Sequence, residues 1–377
     1  MKPLDSIKVL ELSFYLPGPL AGLMLRDLGA DVVKIESPKS LDPLRMLGGD
    51  FSSRGGRAFK SFNRGKRSCR IDLKDGDGIE AFRFLVKKAD VLIVSMRPST
   101  IVRLGIDYDS MRRVNPDIVY CSLTGYGLKG PMADKGGHDL TYQTLAGIVH
   151  LARDSEGNVT FPPVPMADIF GTFHTVTAVL AALMERGKTG KGQCVDIAMM
   201  QSVLSSNLLN MCLTDVPGET YASKGKMLTG RYAFYNAYAS KDGKWFVLGA
   251  IEQKFWQRFC EVVEREDLKG RQFDTTAIED LRKVFGEKSS DWWTRVSNEE
   301  DICLEPVIGL EEVLSHPQHE AAGTFSRQTD EILSFGFFPY DPEAGSLAAP
   351  LAGENTADVL KDYDVPQSLI DSLLAKK

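Results

Sequence analysis

The sequence predicts an α/β fold built on a mainly parallel sheet. Strand, helix and strand follow one another inside the first 36 residues, which is a βαβ unit. The alternation continues to residue 123. Hydrophobic residues make up 43% and charged residues 25% of 377 residues, a mix that buries a core and excludes wholesale disorder.

Residues 7–12 form the first strand, and Pro17-Gly18-Pro19 breaks it. Residues 20–28 place Leu20, Leu23, Met24, Leu25 and Leu28 close to helical spacing, and Gly29 stops that helix. Residues 32–36 are the next strand. It ends on Glu36, as a Rossmann-like start does, but residues 11–19 hold no G-x-G-x-x-G. A nicotinamide or flavin dinucleotide site is therefore poorly supported. Residues 37–70 read as a loop in which Arg64, Lys66, Arg67 and Arg70 form a basic patch, either a solvated face or a phosphate contact. A helix over 79–87, a strand over 90–94, a helix over 108–114 and a strand over 118–123 follow. Residues 124–170 are glycine-rich loop, with a helix or packed bend at 140–150. Residues 170–185 are the clearest helix. The turn at 187–192 lacks the spacing of a P-loop. A strand over 193–198 and a helix over 199–211 precede a linker at 214–229.

Beyond the linker the pattern changes. Residues 234–239 and 245–249 flank Asp242-Gly243 as a hairpin. Helices over 255–264, 276–285, 292–297 and 310–314 complete a smaller α+β domain. The tail from 336 is rich in Gly, Pro and Ala and carries amphipathic segments at 356–360 and 370–374.

Lys plus Arg is 45 against 51 for Asp plus Glu, a net charge of −6, which argues against a general nucleic-acid binder. Six cysteines without a C-x-x-C pair exclude a disulfide scaffold and point to a reducing compartment. The N-terminus has no signal-length apolar run, and no window approaches about eighteen uninterrupted apolar residues. A soluble, cytoplasmic protein with no membrane partner is expected.

None of the five histidines has metal-ligand spacing, so no metal is expected. His138 stands out, in Gly136-Gly137-His138-Asp139 within a glycine-rich loop that follows a strand. Such loops carry reactive groups in α/β enzymes, and imidazole titrates near operating pH. Asp168 lies just ahead of a long apolar helix, where it reads as an N-cap; the same place holds a carboxylate ionised and oriented. Glu252, past a strand, reads as a helix-start residue that gains interest only if it meets His138.

Several long motifs occur in a telling order. They are Val9-Leu10-Glu11-Leu12, Pro17-Gly18-Pro19, Asp27-Leu28-Gly29-Ala30-Asp31-Val32-Val33-Lys34-Ile35-Glu36, and Asn63-Arg64-Gly65-Lys66-Arg67-Ser68 with Asp72-Leu73-Lys74. Arg97-Pro98, Gly125-Tyr126-Gly127, Gly130-Pro131, Gly190-Lys191-Gly192-Gln193 and Gly353-Glu354-Asn355-Thr356 continue it. Over essentially the whole chain this resembles the class III CoA-transferases together with the 2-methylacyl-CoA racemases, the CaiB/BaiF family. The resemblance implies a Rossmann-like large domain built from both chain ends, residues 1–213 and 326–377. The latter span includes a second linker. A small α+β domain at 230–325 and an interlocked homodimer are also implied.

It also implies an acyl-CoA thioester as substrate and no cofactor beyond its CoA moiety. In the transferases an aspartate attacks the thioester and passes CoA to a second carboxylate. In the racemases a histidine and an aspartate exchange the α-proton of a 2-methylacyl-CoA. Gly137-His138-Asp139, the separation 168 − 138 = 30, Glu252 in Gly249-Ala250-Ile251-Glu252 and Asp301-Ile302-Cys303-x-x-Pro306-Val307 resemble the racemase branch. The expectation is therefore a racemase interconverting (2R)- and (2S)-2-methylacyl-CoA, with His138 and Asp168 catalytic and Glu252 orienting the imidazole. A backbone N–H at the start of the helix after Asp168 would stabilise the enolate oxygen. Arg64, Lys66, Arg97 and Arg45 would hold the CoA phosphates. The alternatives are a CoA-transferase with Asp168 as nucleophile, and a CoA-ester binding protein without turnover.

Overall fold

Six short, mostly buried runs align as one parallel sheet: β1 (Lys8–Leu12), β2 (Asp31–Glu36), β3 (Arg67–Arg70), β4 (Val91–Val94), β5 (Val119–Thr124) and β6 (Gln193–Ala198). Their spatial order is β3-β2-β1-β4-β5-β6. The order reverses between β1 and β4, the place where open α/β sheets form their ligand crevice. The structure is a computed structural model and describes residues 2–47, 55–153, 156–212, 228–327, 333–334 and 347–376.

Neighbouring residues on each strand point to opposite faces, so each face has its own core. On one face Leu10, Val33, Leu92 and Tyr120 meet Phe82 and Leu85 of α3 (Gly76–Lys88) and Met111 of α5 (Tyr108–Val114). On the other, Val9, Val32, Ile93 and Val119 meet Met24 and Leu25 of α1 (Pro17–Asp27), and Val176 and Val179 of α8 (Met166–Thr189). Proline at its first position starts α1, and Gly29 at φ +110° follows its end. By length and composition α8 could cross a membrane, but its buried stripe packs on this sheet.

Residues 37–70 are not the loop that their composition suggests. They hold α2 (Arg57–Asn63) and the edge strand β3. An edge strand reading Arg-Ser-Cys-Arg carries no apolar run for a sequence pattern to catch. Between β4 and α5 lies a further helix, α4 (Pro98–Leu104), with proline at its start and Gly105 in the left-handed conformation at its end. After β5 come α6 (Asp139–Leu145) and α7 (Ile148–Leu151), and after β6 α9 (Met199–Leu204) and α10 (Leu208–Cys212).

The chain divides into two compact units, Met1–Asn207 with Ala321–Lys377, and Leu208–Glu320. The sequence places these divisions at 213 and 325 instead. Positions 214–227 of the expected linker, and 336–346 of the tail, lie outside the described residues. In the second unit β7 (Tyr235–Ala239) and β8 (Trp245–Gly249) form the hairpin, and β9 (Leu304–Pro306) joins them antiparallel. Helices α11 (Gln253–Val262), α12 (Ala277–Glu287) and α13 (Ser290–Glu299) close over a core of Trp256, Phe259, Phe285 and Trp293. Short helices α14 (Leu310–Val313) and α15 (Pro317–Ala321) follow. The C-terminal helices α16 (Thr356–Asp362) and α17 (Gln367–Ala375) return to the first unit, where Val359, Leu360 and Ile370 share the core of Phe82 and Leu85.

Candidate active site

A cavity of about 640 Å³ opens beyond the C-terminal ends of β1 and β4, at the switch point. Phe14, Tyr15 and Pro17 come from the loop after β1, and Ser95, Met96 and Arg97 from the loop after β4. Gly137, His138 and Asp139 enter from the loop between β5 and α6, and Asp168 from the first turn of α8. His138 and Asp168 therefore line one cavity. A second chamber of about 470 Å³ shares Ser95, Arg97 and His138 with the first and adds Lys135 and Thr141.

The loop bearing His138 is pinned from below. Tyr142 donates its hydroxyl to the Gly137 carbonyl at 2.6 Å. A Cβ on Gly137 would stand 2.6 Å from the Tyr142 ring and 2.7 Å from the Tyr126 hydroxyl, so glycine is required there. His138 itself opens α6, its N–H bonded to Thr141 Oγ1 at 3.0 Å. Its exposed imidazole meets the Tyr15 ring edge-on, with centroids 6.0 Å apart and planes at 88°.

Asp168 is not the N-cap that the sequence suggests. Helix α8 starts earlier, at Met166, because Pro165 occupies the N-cap position, and Asp168 falls inside the first turn. The capping carboxylate is Asp139. Its Oδ1 accepts from the N–H of Ala167 at 2.7 Å and of Asp168 at 3.2 Å. Its Oδ2 accepts from Gln143 Nε2 at 2.5 Å, and Gln143 also donates to the Val164 carbonyl. Burial, reinforced by the Asp139 charge, pushes the Asp168 carboxyl up to about 7. That carboxylate has no hydrogen-bond or ion-pair partner among the described residues.

This arrangement corrects the expected oxyanion donor. The N–H groups of Ala167 and Asp168 are taken by Asp139, and that of Ile169 donates to the Pro165 carbonyl at 3.1 Å. Asp139 itself was legible only as the third letter of the Gly-His-Asp motif, with no signal of its capping role.

The cations expected at the CoA phosphates separate into two groups. Arg64 makes a two-pronged ion pair with Asp27 at 2.7 and 2.6 Å, and both are buried. Arg45 does the same with Glu36 at 2.9 and 2.6 Å. Lys66 is enclosed by Glu11 at 2.6 Å, the Pro19 carbonyl and Asn63. These three are committed to buried carboxylates, which satisfies their charges away from solvent and contradicts a direct phosphate contact. Arg97 alone is exposed on the cavity wall. Two cations to which the sequence assigned no role stand nearby. Lys74 and Arg103 border a pocket of about 200 Å³ lined by Leu12, Leu73 and Leu104, which shares Phe14, Met96 and Thr100 with the main cavity. Glu252 lies in the second unit as the exposed residue before α11, with no side-chain cap bond.

CoA-transferase family III matches residues 4–356. A succinyl-CoA:glutarate CoA-transferase of Mus musculus is 28% identical over 99% of the chain and 89% of that relative. An alpha-methylacyl-CoA racemase of Homo sapiens is 30% identical over 99% of the chain and 97% of its own length. A CAIB/BAIF family protein from Brucella suis, 27% identical, superposes with a TM-score of 0.83 over 96% of this chain and all of that one. The chain belongs to CoA-transferase family III, an enzyme family acting on CoA thioesters.

Proposed function

We propose that the protein transfers CoA between carboxylic acids, with Asp168 as the nucleophile. The observation that carries this reading is the Asp168 carboxylate itself, half-buried on the cavity wall and without a partner among the described residues. The likeness to a CoA-transferase over 99% of the chain supports it. An Asp168 oxygen attacks the thioester carbonyl, the C–S bond breaks, and CoA thiolate leaves with the bonding pair. The thiolate then attacks the Asp168 carbonyl of the mixed anhydride and expels the donor acid. The acceptor carboxylate attacks the resulting aspartyl thioester, and the returning thiolate takes the acceptor acyl group. Exposed Arg97, Lys74 and Arg103 suit the CoA phosphates, and the apolar pocket beside the last two suits its adenine ring.

A second reading has its own observation: His138 lines the same cavity as Asp168. Imidazole and a carboxyl near pH 7 are a competent pair for exchanging an α-proton of a 2-methylacyl-CoA. The orienting role of Glu252 and the interlocked homodimer are parts of the wider proposal. Purified protein is incubated with succinyl-CoA and glutarate, mesaconate or other acids, and separately with a 2-methylacyl-CoA in deuterated water. New CoA esters, lost in Asp168→Ala, with an Asp168 adduct trapped by hydroxylamine, establish transfer. Deuterium entering the α-position with no new ester, an activity abolished in His138→Ala, replaces transfer with racemisation.

A further inference from the structure

We infer that Tyr15 is the oxyanion donor of this site, its hydroxyl bonding the thioester carbonyl oxygen as Asp168 attacks. The inference rests on the proposed Asp168 chemistry and adds the group that the start of α8 does not supply. When Asp168 attacks, the carbonyl π electrons move to oxygen, and that oxygen needs a donor in place.

Tyr15 is held in an unusual backbone conformation. Its φ is +61°, a left-handed value that a bulky aromatic rarely adopts. Such backbone states persist where the surroundings enforce them, and they cluster at functional sites. The enforcement is visible. Asp42 Oδ1 accepts the Tyr15 N–H at 3.1 Å. The other oxygen of Asp42 pairs with the fully buried Lys34 at 2.8 Å. Lys34 in turn binds Glu11 at 3.0 Å and the Ser13 carbonyl at 2.9 Å. A buried ionic network therefore grips the loop on both sides of Phe14.

The same loop is tied to the Asp168 turn. The buried hydroxyl of Thr172 lies 3.0 Å from the Pro17 carbonyl and 2.9 Å from the Asp168 carbonyl. Tyr15 and Asp168 line the first chamber but not the second, whereas Ser95, Arg97 and His138 line both. Thr100, the other hydroxyl that lines the first chamber but not the second, accepts from Arg103 and also borders the smaller apolar pocket. The Tyr15 hydroxyl has no partner among the described residues, and its ring is steadied against His138. The Tyr15 side chain is 46% exposed at the cavity wall, so its phenol is a donor carried on a backbone that Asp42 fixes.

Two measurements test the assignment. In the transfer assay Tyr15→Phe should lower kcat roughly 100-fold with KM within about twofold, because the bond is weak to the ground-state carbonyl and strengthens as charge develops on oxygen in the transition state. Retained kcat overturns the donor role, and a rise in KM alone assigns Tyr15 to ground-state binding instead. The second measurement needs no turnover. A dethia ketone analogue of succinyl-CoA, labelled with ¹³C at the carbonyl, is bound to wild type and to Tyr15→Phe. The carbonyl resonance should move downfield on binding wild type and stay near its free position in the variant. Equal positions in both overturn the inference, as does failure of wild type to bind. A shift that persists without CoA transfer keeps Tyr15 as donor and discards only the transferase reading. Tyr15→Gly, which tolerates the left-handed backbone and carries no side-chain donor, covers a Phe variant that fails to fold: it should still lack the shift.

Discussion

Asp168 is where ordinary side-chain chemistry is most altered, and the alteration has a stability consequence. Its folded-state pKa, near 7, lies above the usual aspartate value, so the folded protein binds a proton that the unfolded chain has released. The sign follows. Stability associated with the protonated carboxyl is fully present below about pH 4 and is lost as pH rises to about 7. A carboxyl raised this far contributes at most about 4 kcal/mol in this way. Asp168→Asn keeps the shape and removes the ionisation, so it should raise the melting temperature clearly at pH 8 and much less at pH 5. Melts in the two buffers check this, and an equal gain in both would mean that charge burial is not the cause. His138, Asp168 and Arg97 line one cavity; the sequence drew notice to His138 and Arg97 through the Gly-His-Asp and Arg-Pro motifs, and to Asp168 through its place just ahead of a long apolar helix. The burial of Arg45, Arg64 and Lys66 was not legible, because a basic residue type says nothing of its partner, and Glu36, Asp27 and Glu11 lie 9, 37 and 55 positions away, respectively.

Among elements, the start of α8 depends on a residue 28 positions earlier. Asp139 does two separable jobs there: its oxygen caps two N–H groups, and its charge adds to the rise that burial gives the Asp168 carboxyl. Asp139→Ala should lose both, with a stability cost of about 1 kcal/mol. Asp139→Asn should keep most of the cap and lose the charge. The acidic limb of its pH–rate profile should then move below 7 while its melting temperature stays near wild type. A limb that does not move would leave burial alone responsible. Elements with a clear period, such as α3 and the hairpin of β7 and β8, were readable from apolar spacing. The short β3 was hidden by its arginines, and Arg67 is held at the sheet edge by Asp31 and Asp362, contacts that no local pattern announces. The cap of α8 was hidden for the same reason.

At the scale of the whole molecule, the joining of distant segments decides what a mutation reaches. Leu360 is fully buried among Phe82, Leu85 and Val86, residues from the opposite end of the chain. Periodicity could identify α16 as amphipathic, but only the motif resemblance indicated that it returns to the first sheet. All four tryptophans, Trp245, Trp256, Trp292 and Trp293, belong to the second unit, which has an aromatic core of its own. Selective tryptophan fluorescence therefore reports that unit, while far-ultraviolet circular dichroism reports both. Leu360→Ala removes buried side-chain volume from the first unit at a cost of about 2–5 kcal/mol. For a unit of this size that should lower the circular-dichroism midpoint by roughly 5–10 °C. Because no tryptophan-bearing element shares that core, the fluorescence midpoint should hold within about 2 °C. Midpoints that fall together would show that the two cores melt as one cooperative body, with the C-terminal helices supporting both.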